Sequence, residues 1–337
     1  MSNRGRPCLH AEPLDGGEPT LMGRAGVCWP RVVACVPAHN RLAWTLRFLE
    51  HAAEIDYPNL GIVVVDDGST DGTGEAVAER YPEVTVLTGD GDLWWSGATN
   101  AAIRYALDEP GTDYILTIND DATYDPGFLR RMVETAMEDP RRIVGCRIHC
   151  QDEPGLLWGI GTSCVFSGVH LYRLNFGMRT WKELEGRLPD PYPVETMPGN
   201  GVLIPRAVFD EVGFYDERSM PQYHADSDLV LRAAKAGFKP VIALRAAIYN
   251  HVNTTPLVDN VADLLLSRKS DLNARAVWTT LSRHAPVTRW LPVLACIYLP
   301  FLTPEWAKRI YRRTIKPVLR RVRPLDPPVP EAAGSAP

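Results

Sequence analysis

No Gly-x-Gly-x-x-Gly follows the first apolar run of this 337-residue chain, so the fingerprint of a dinucleotide-dependent dehydrogenase is missing. No window reaches the roughly 18 uncharged apolar residues that a membrane-spanning helix needs. The nearest, Trp290 to Pro304, is short and interrupted by Pro292 and Pro300. A basic region, apolar run and small-residue cleavage site do not occur in succession near the start, so no signal peptide is expected. There is no basic excess either. Lys and Arg number 36 against 41 Asp and Glu, a net charge of −5 that gives no reason to expect nucleic acid as a partner. The 7 cysteines (8, 28, 35, 146, 150, 164 and 296) are scattered and odd in number, which argues for a reducing compartment rather than a disulfide framework. Cys146 and Cys150 lie close together, but no His or second Cys pair follows at zinc-site spacing.

What is present is the balance of a globular protein, 45% apolar and 23% charged. Residues 1–29, rich in Gly, Pro and charge, read as a mobile arm. Apolar runs at Arg31–Val36, Gly61–Val65, Val84–Leu87 and Tyr114–Ile118 read as buried strands. Helical patterns fall between them at 42–54, 72–80 and 98–107. This alternation predicts an α/β fold, a mostly parallel sheet with helices on both faces. Ligands of such sheets bind at the carboxyl ends of the strands. The polar clusters lie just there: Pro37–Asn40, Asp66–Asp71, Gly89–Asp92 and Asn119–Asp121. Beyond residue 136 the pattern is less regular, with strand-like pieces at 143–148, 164–166, 202–204 and 240–244 and helices at 206–212 and 226–236.

Asn119-Asp120-Asp121 sets two carboxylates side by side after a buried strand with nothing basic adjacent in sequence. Such a pair repels itself unless a cation compensates, and hard oxygen ligands suit Mg²⁺ or Mn²⁺. A solvated strand-end turn is the other reading of this tripeptide. Asp66-Asp67-Gly68 is equally ordinary turn chemistry, or a hydrogen-bond acceptor for a base or ribose. Asp226 on its own reads as a helix cap, and a lone His251 as a surface or core residue. Trp94 and Trp95 read as core residues or as a stacking surface for a sugar or nucleobase.

Together, Cys35-Val-Pro-Ala-His-Asn40, Val64-Val-Asp-Asp-Gly-Ser-Thr-Asp71 and Ile118-Asn-Asp-Asp121 resemble the donor-binding half of family-2 glycosyltransferases with the GT-A fold. The segments Gly89–Asn100, Pro198–Arg206 and Tyr223–Arg232 extend the resemblance over about residues 31–252. The resemblance implies an inverting, metal-assisted transfer of a sugar from a UDP- or dTDP-linked donor to a sugar or lipid-linked acceptor. Pro37, Ala38 and Asn40 would line the nucleotide pocket, Asp66 or Asp67 would meet the base, and Asp92 and Trp95 would belong to the donor site. Asp120 would approach the ribose or sugar, with Asn119 replacing the family's first acidic residue. Asp121 and His251 would hold Mn²⁺ or Mg²⁺, and Asp226 would be the catalytic base. The segment Leu93-Trp-Trp-Ser-Gly97 is somewhat similar to rhamnosyltransferase-type members. On this reading residues 30–283 form the GT-A domain, with a nucleotide half at 30–135 and an acceptor half at 136–283.

Residues 284–323 join an aromatic and apolar stretch to a basic run, the pattern of an interfacial segment facing anionic lipid. The expected place is the cytoplasm, with peripheral attachment to the inner face of the cell membrane. An apolar helix packed on the catalytic domain, followed by a solvated tail, is the competing reading, and residues 324–337 form a Pro-rich tail. Two other functions compete with transfer. A sugar-1-phosphate nucleotidyltransferase would need a Gly-rich, Arg-containing loop where Pro37–Asn40 stands. A catalytically silent nucleotide-sugar-binding module would bind a donor without turnover.

Overall fold

The computed structural model describes residues 29–168, 170–251 and 261–302. Most of the expected arm at 1–29, the basic run at 305–323 and the tail at 324–337 lie outside these residues. The first half runs β1 (Arg31–Ala38), α1 (Leu42–Ala52), β2 (Leu60–Asp66), α2 (Thr73–Arg80), β3 (Thr85–Thr88), α3 (Trp94–Asp108), β4 (Thr112–Thr117), β5 (Thr123–Tyr124) and α4 (Phe128–Met137). There follow β6 (Arg142–Cys150), β7 (Leu157–Gly159), β8 (Thr162–Ser167), β9 (His170–Leu174), β10 (Tyr192–Pro193), β11 (Val202–Pro205), α5 (Arg206–Val212), α6 (Ala225–Lys235) and β12 (Lys239–Asn250). The last described elements are α7 (Val261–Leu266), α8 (Ala274–His284) and α9 (Val287–Leu302).

The main sheet runs β10-β12-β6-β11-β4-β1-β2-β3. Strands β3, β2, β1 and β4 are mutually parallel, as are β6 and β12. Between them β11 pairs antiparallel with both β4 and β6. Alternate residues explain why both faces are covered. Val33 and Cys35 join a core with Ile103, Ile115 and Leu229, whereas Val32, Ala34 and Val36 join one with Phe48, Phe128 and Met132.

The chain steps from β1 to β2 on one side and returns to β4 on the other, so the crevice opens where β1 and β4 part. Ala38 pairs with Asp66 and Cys35 with Thr117. Asp120 follows three residues after Thr117, as Ala38 does after Cys35. The mostly parallel α/β sheet expected from the sequence is therefore present. One expected helix starts elsewhere: α3 begins four residues before the predicted 98, while α9 runs through Pro292 as a helix. Among the described residues no helix is long and apolar enough to cross a membrane.

Candidate active site

The acidic turn after β2 is a clasp. Asp66 Oδ1 accepts the Ser69 N–H at 3.1 Å, and Asp67 takes the Gly91 N–H at 2.9 Å and the Trp94 N–H at 3.0 Å. Asp71 Oδ2 accepts the Leu42 N–H at 3.0 Å, capping α1 from 29 residues away. Asn40, in the left-handed region at φ 53°, locks onto this turn by accepting the Thr70 N–H at 2.8 Å. Three strand ends are thus tied together by carboxylates and one amide.

At the head of α3, the Trp95 indole N–H donates to Asn119 Oδ1 at 3.0 Å and its ring meets Tyr215 edge-on at 5.2 Å. Gly199 is required beneath it. A Cβ there would fall 2.5 Å from Trp95 Cη2 and 3.1 Å from Asp226 Cβ. The neighbouring Asn200 accepts the Asn119 N–H at 2.9 Å and donates to Asn250 Oδ1 at 2.9 Å. An amide relay therefore joins the ends of β4, β11 and β12.

The adjacent carboxylates do have a cation beside them, which corrects the picture taken from local sequence. Arg41 Nε donates to Asp120 Oδ1 at 2.7 Å and Oδ2 at 3.0 Å, while its Nη2 lies 3.2 Å from Asp121 Oδ2. Thr45 Oγ1 adds a bond to Asp120 at 2.9 Å. Asp120 is only 4% exposed. Burial raises its carboxyl, the Asp121 charge adds to this, and despite Arg41 and Thr45 it is pushed up to about 6.

Asp121 is served less well, since among the described residues its buried Oδ1 has no partner. The same is true of His251 Nε2. Thr123, two residues after Asp121, pairs with Tyr249, two residues before His251, in the antiparallel β5–β12 ladder. His251 also meets the Trp44 ring edge-on at 4.7 Å, and Trp44 lies under Arg41 at 5.7 Å. Two orphaned buried acceptors, a carboxylate oxygen and an imidazole nitrogen, fit a divalent cation. No group of three or more His, Cys, Asp or Glu gathers as a ligand cluster among the described residues, so other ligands would have to complete the coordination.

The two acids of α6 have different surroundings. Asp226, in the first turn, accepts the Gly199 N–H at 2.9 Å and the Ser227 N–H at 2.7 Å, and burial pushes its carboxyl up. Asp228 is fully buried and bonded to Arg232 at 2.8 Å, His284 at 2.8 Å and Arg283 at 3.2 Å. Burial would raise the Asp228 carboxyl, but His284, Arg232 and Arg283 outweigh it and hold it at about 2. Asp228 therefore locks α8 to α6, while Asp226 has no cation bonded to it among the described residues.

Part of this constellation lines a cavity of about 800 Å³. Of the residues singled out from sequence, Pro37, Ala38, Asp67, Trp95, Asn119, Asp120 and Asp121 line it. Asn40, Asp66, Asp92, Asp226 and His251 are not in the lining. Asn40 and Asp66 are spent on the clasp. Asp92 accepts from Trp94 Nε1 at 3.0 Å and Arg268 Nη1 at 2.6 Å, and the two together hold its carboxyl below the usual range. Sequence reasoning missed Arg41, Gln222, Tyr223 and a wall from Asp263, Ser267 and Lys269.

Residues 33–213 match the family model described as Glycosyl transferase family 2. The chain belongs to glycosyl transferase family 2. A relative, the N-acetylglucosaminyl-diphospho-decaprenol L-rhamnosyltransferase of Mycobacterium tuberculosis, is 28% identical over 239 residues, 66% of this chain and 77% of that protein. The undecaprenyl-phosphate mannosyltransferase of Micrococcus luteus is 34% identical over 126 residues, 35% of this chain and 48% of that protein. Among solved structures, a mannosyltransferase from Pyrobaculum calidifontis in complex with GDP-Man and Mn²⁺ matches with a TM-score of 0.52 at 20% identity. That match covers 88% of this chain and 76% of the other. GalNAc-T7 with UDP, GalNAc and Mn²⁺ matches with a TM-score of 0.54 at 14% identity, covering 67% of this chain and 44% of the other. This family-2 chain is a glycosyltransferase with the GT-A fold, as the sequence motifs lead one to expect.

Proposed function

We propose that this glycosyltransferase moves a sugar, with inversion, from a dTDP- or UDP-linked donor to a hydroxyl of a lipid-linked acceptor. The carrying observation is the meeting of the two halves at Gly199. There Trp95, which reaches Asn119 in the donor half, and Asp226, in the acceptor half, press on the same glycine. The lipid-linked acceptor and a rhamnosyl donor are suggested by the name of the mycobacterial relative.

Pro37, Ala38 and Asp67 form the wall on which the nucleotide rests, and Trp95 offers an aromatic face to the donor sugar. Asp121 and His251 would hold Mn²⁺ or Mg²⁺. When bound, such a cation supplies positive charge against the departing diphosphate. Asp226 takes the acceptor hydroxyl proton as the new C–O bond forms at the anomeric carbon. The bond from that carbon to the diphosphate breaks on the opposite face, which inverts the centre. The raised Asp226 carboxyl suits this task, because a base works best when its pKa approaches the working pH.

We place the enzyme in the cytoplasm, attached to the inner face of the membrane through α9. Val293 and Ile297 pack this helix onto Val277, Leu281, Phe166 and Leu171. Its other face shows Val287, Leu291, Ala295 and Leu299 at four-residue spacing, with Leu291 79% exposed. Trp278 and Trp290 meet edge-on beside it at 5.2 Å. In sequence this face leads to eight Lys and Arg between 305 and 323 against Glu305, a charge pattern that anionic headgroups attract.

Incubating the full chain with Mn²⁺ or Mg²⁺ and a panel of dTDP-, UDP- and GDP-sugars tests the reading. Release of nucleoside diphosphate from one donor class, stimulated by a polyprenyl-diphosphate sugar, is expected. Failure to bind or hydrolyse any donor would contradict it.

A further inference from the structure

Arg41 holds the acidic pair unequally. Its Nε is anchored on Asp120 by two short bonds, and Thr45 fixes the same carboxylate. Its Nη2, by contrast, is buried 3.2 Å from Asp121 Oδ2 and makes no well-directed hydrogen bond among the described residues. The side chain as a whole is 30% exposed and lines the cavity, with Nη2 on its buried side. A guanidinium presents separate edges, so one can stay bound while another changes partner, and its fork suits phosphate oxygens. Arg41, Trp44 and Thr45 stand three and four residues apart at the start of α1, so one helix face carries the guanidinium, its aromatic support and the second anchor of Asp120.

We propose that Arg41 is an exchangeable internal counter-cation. With no nucleotide bound it neutralises Asp121 and opposes a free divalent ion. When ion and nucleoside diphosphate arrive together, its Nη2 edge passes to the diphosphate while Nε stays on Asp120. The inference rests on the metal-assisted reading above and adds an order of assembly to it: the ion enters with the nucleotide rather than before it. The same positive charge therefore acts with opposite sign on two equilibria. It repels the bare ion beside Asp121 and attracts the anionic ion–nucleotide complex. A merely structural arginine would not show that reversal.

The test is Mn²⁺ binding to the full chain, followed by electron paramagnetic resonance of free Mn²⁺, alone and with UDP, dTDP or GDP. The expected result for Arg41→Gln is Mn²⁺ binding about tenfold tighter without nucleotide and about tenfold weaker binding of the Mn²⁺–nucleotide complex, the size of one charge contact near solvent. Arg41→Lys keeps the charge and loses the fork. It should bind bare Mn²⁺ as weakly as the wild type and the complex more weakly, which keeps the test alive if Arg41→Gln fails to fold. Unchanged or weakened bare Mn²⁺ binding in a folded Arg41→Gln overturns the exchange but leaves the proposed function standing. Loss of neither or of both kinds of binding in Arg41→Lys also overturns it. Wild-type protein that takes up no Mn²⁺ with any nucleotide overturns the metal-assisted reading itself.

Discussion

Trp95 donates its indole N–H to Asn119 at 3.0 Å, joining the head of α3 to the end of β4, while Gly199 leaves room for its ring against Asp226. Gly199→Ala would place a Cβ 2.5 Å from that ring, in a crowded wall where neither neighbour is free to retreat. We expect kcat to fall by about tenfold to a hundredfold, as displacement of a reacting group by about 1 Å can cost. Nucleoside diphosphate affinity, measured calorimetrically, should change far less. Equal losses in both would mean that Gly199 supports the whole cavity rather than the reacting groups.

Burial raises the Asp226 carboxyl, so the proposed base loses its proton-accepting form at a higher pH than a solvated aspartate does. The acid limb of the kcat/KM profile is expected above the usual carboxylate range and should disappear in Asp226→Asn. A limb at the ordinary aspartate position, or one that survives the substitution, would detach Asp226 from the titration.

Asp228 gives a stability prediction of definite sign. Its folded pKa is held down to about 2, below the usual 3.8, so the stabilisation is present above about pH 4 and is lost as pH falls through the folded value. Asp228→Asn should cost about 3 kcal/mol at pH 7, the low end for a broken buried pair because Arg283 is partly exposed. Denaturant melts from pH 7 to pH 2 check both statements. In the variant the difference from wild type should shrink between pH 4 and 2.

The exposed row on α9 can be altered without touching the core, since Leu291 and Leu299 are 79% and 56% exposed. Flotation with phosphatidylglycerol vesicles should be strong for the wild type at low salt and fall at least severalfold in the Leu291→Glu, Leu299→Glu double variant. Hydrolysis of a soluble donor should be unaffected. Equal flotation of the two proteins would leave α9 as an ordinary packed helix.

The donor half was readable because each of its strands is a continuous apolar run closed by a polar cluster, and that arrangement stands. What could not be read are bonds between distant segments. The first turn of α1 is capped by Asp71, and the Trp94 N–H by Asp67 across 27 residues. The local pattern therefore missed the start of α3. Arg41 reaches Asp120 across 79 residues, so a carboxylate pair with no basic neighbour in sequence has one in space. The wall at Asp263–Lys269 has no motif of its own and meets the donor half through the exposed Arg268–Asp92 ion pair at 2.6 Å. Asp228 has no local sequence signal that marks it as structural. Only the cations gathered on it from α6 and α8 show that it stabilises the fold.

The most direct measurement pairs donor binding with transfer in Asp226→Asn. With the donor found in the panel and a polyprenyl-diphosphate sugar acceptor, transfer should fall by about 10²–10⁴ while donor affinity stays within about twofold of wild type. Transfer at the wild-type rate in Asp226→Asn would contradict the account.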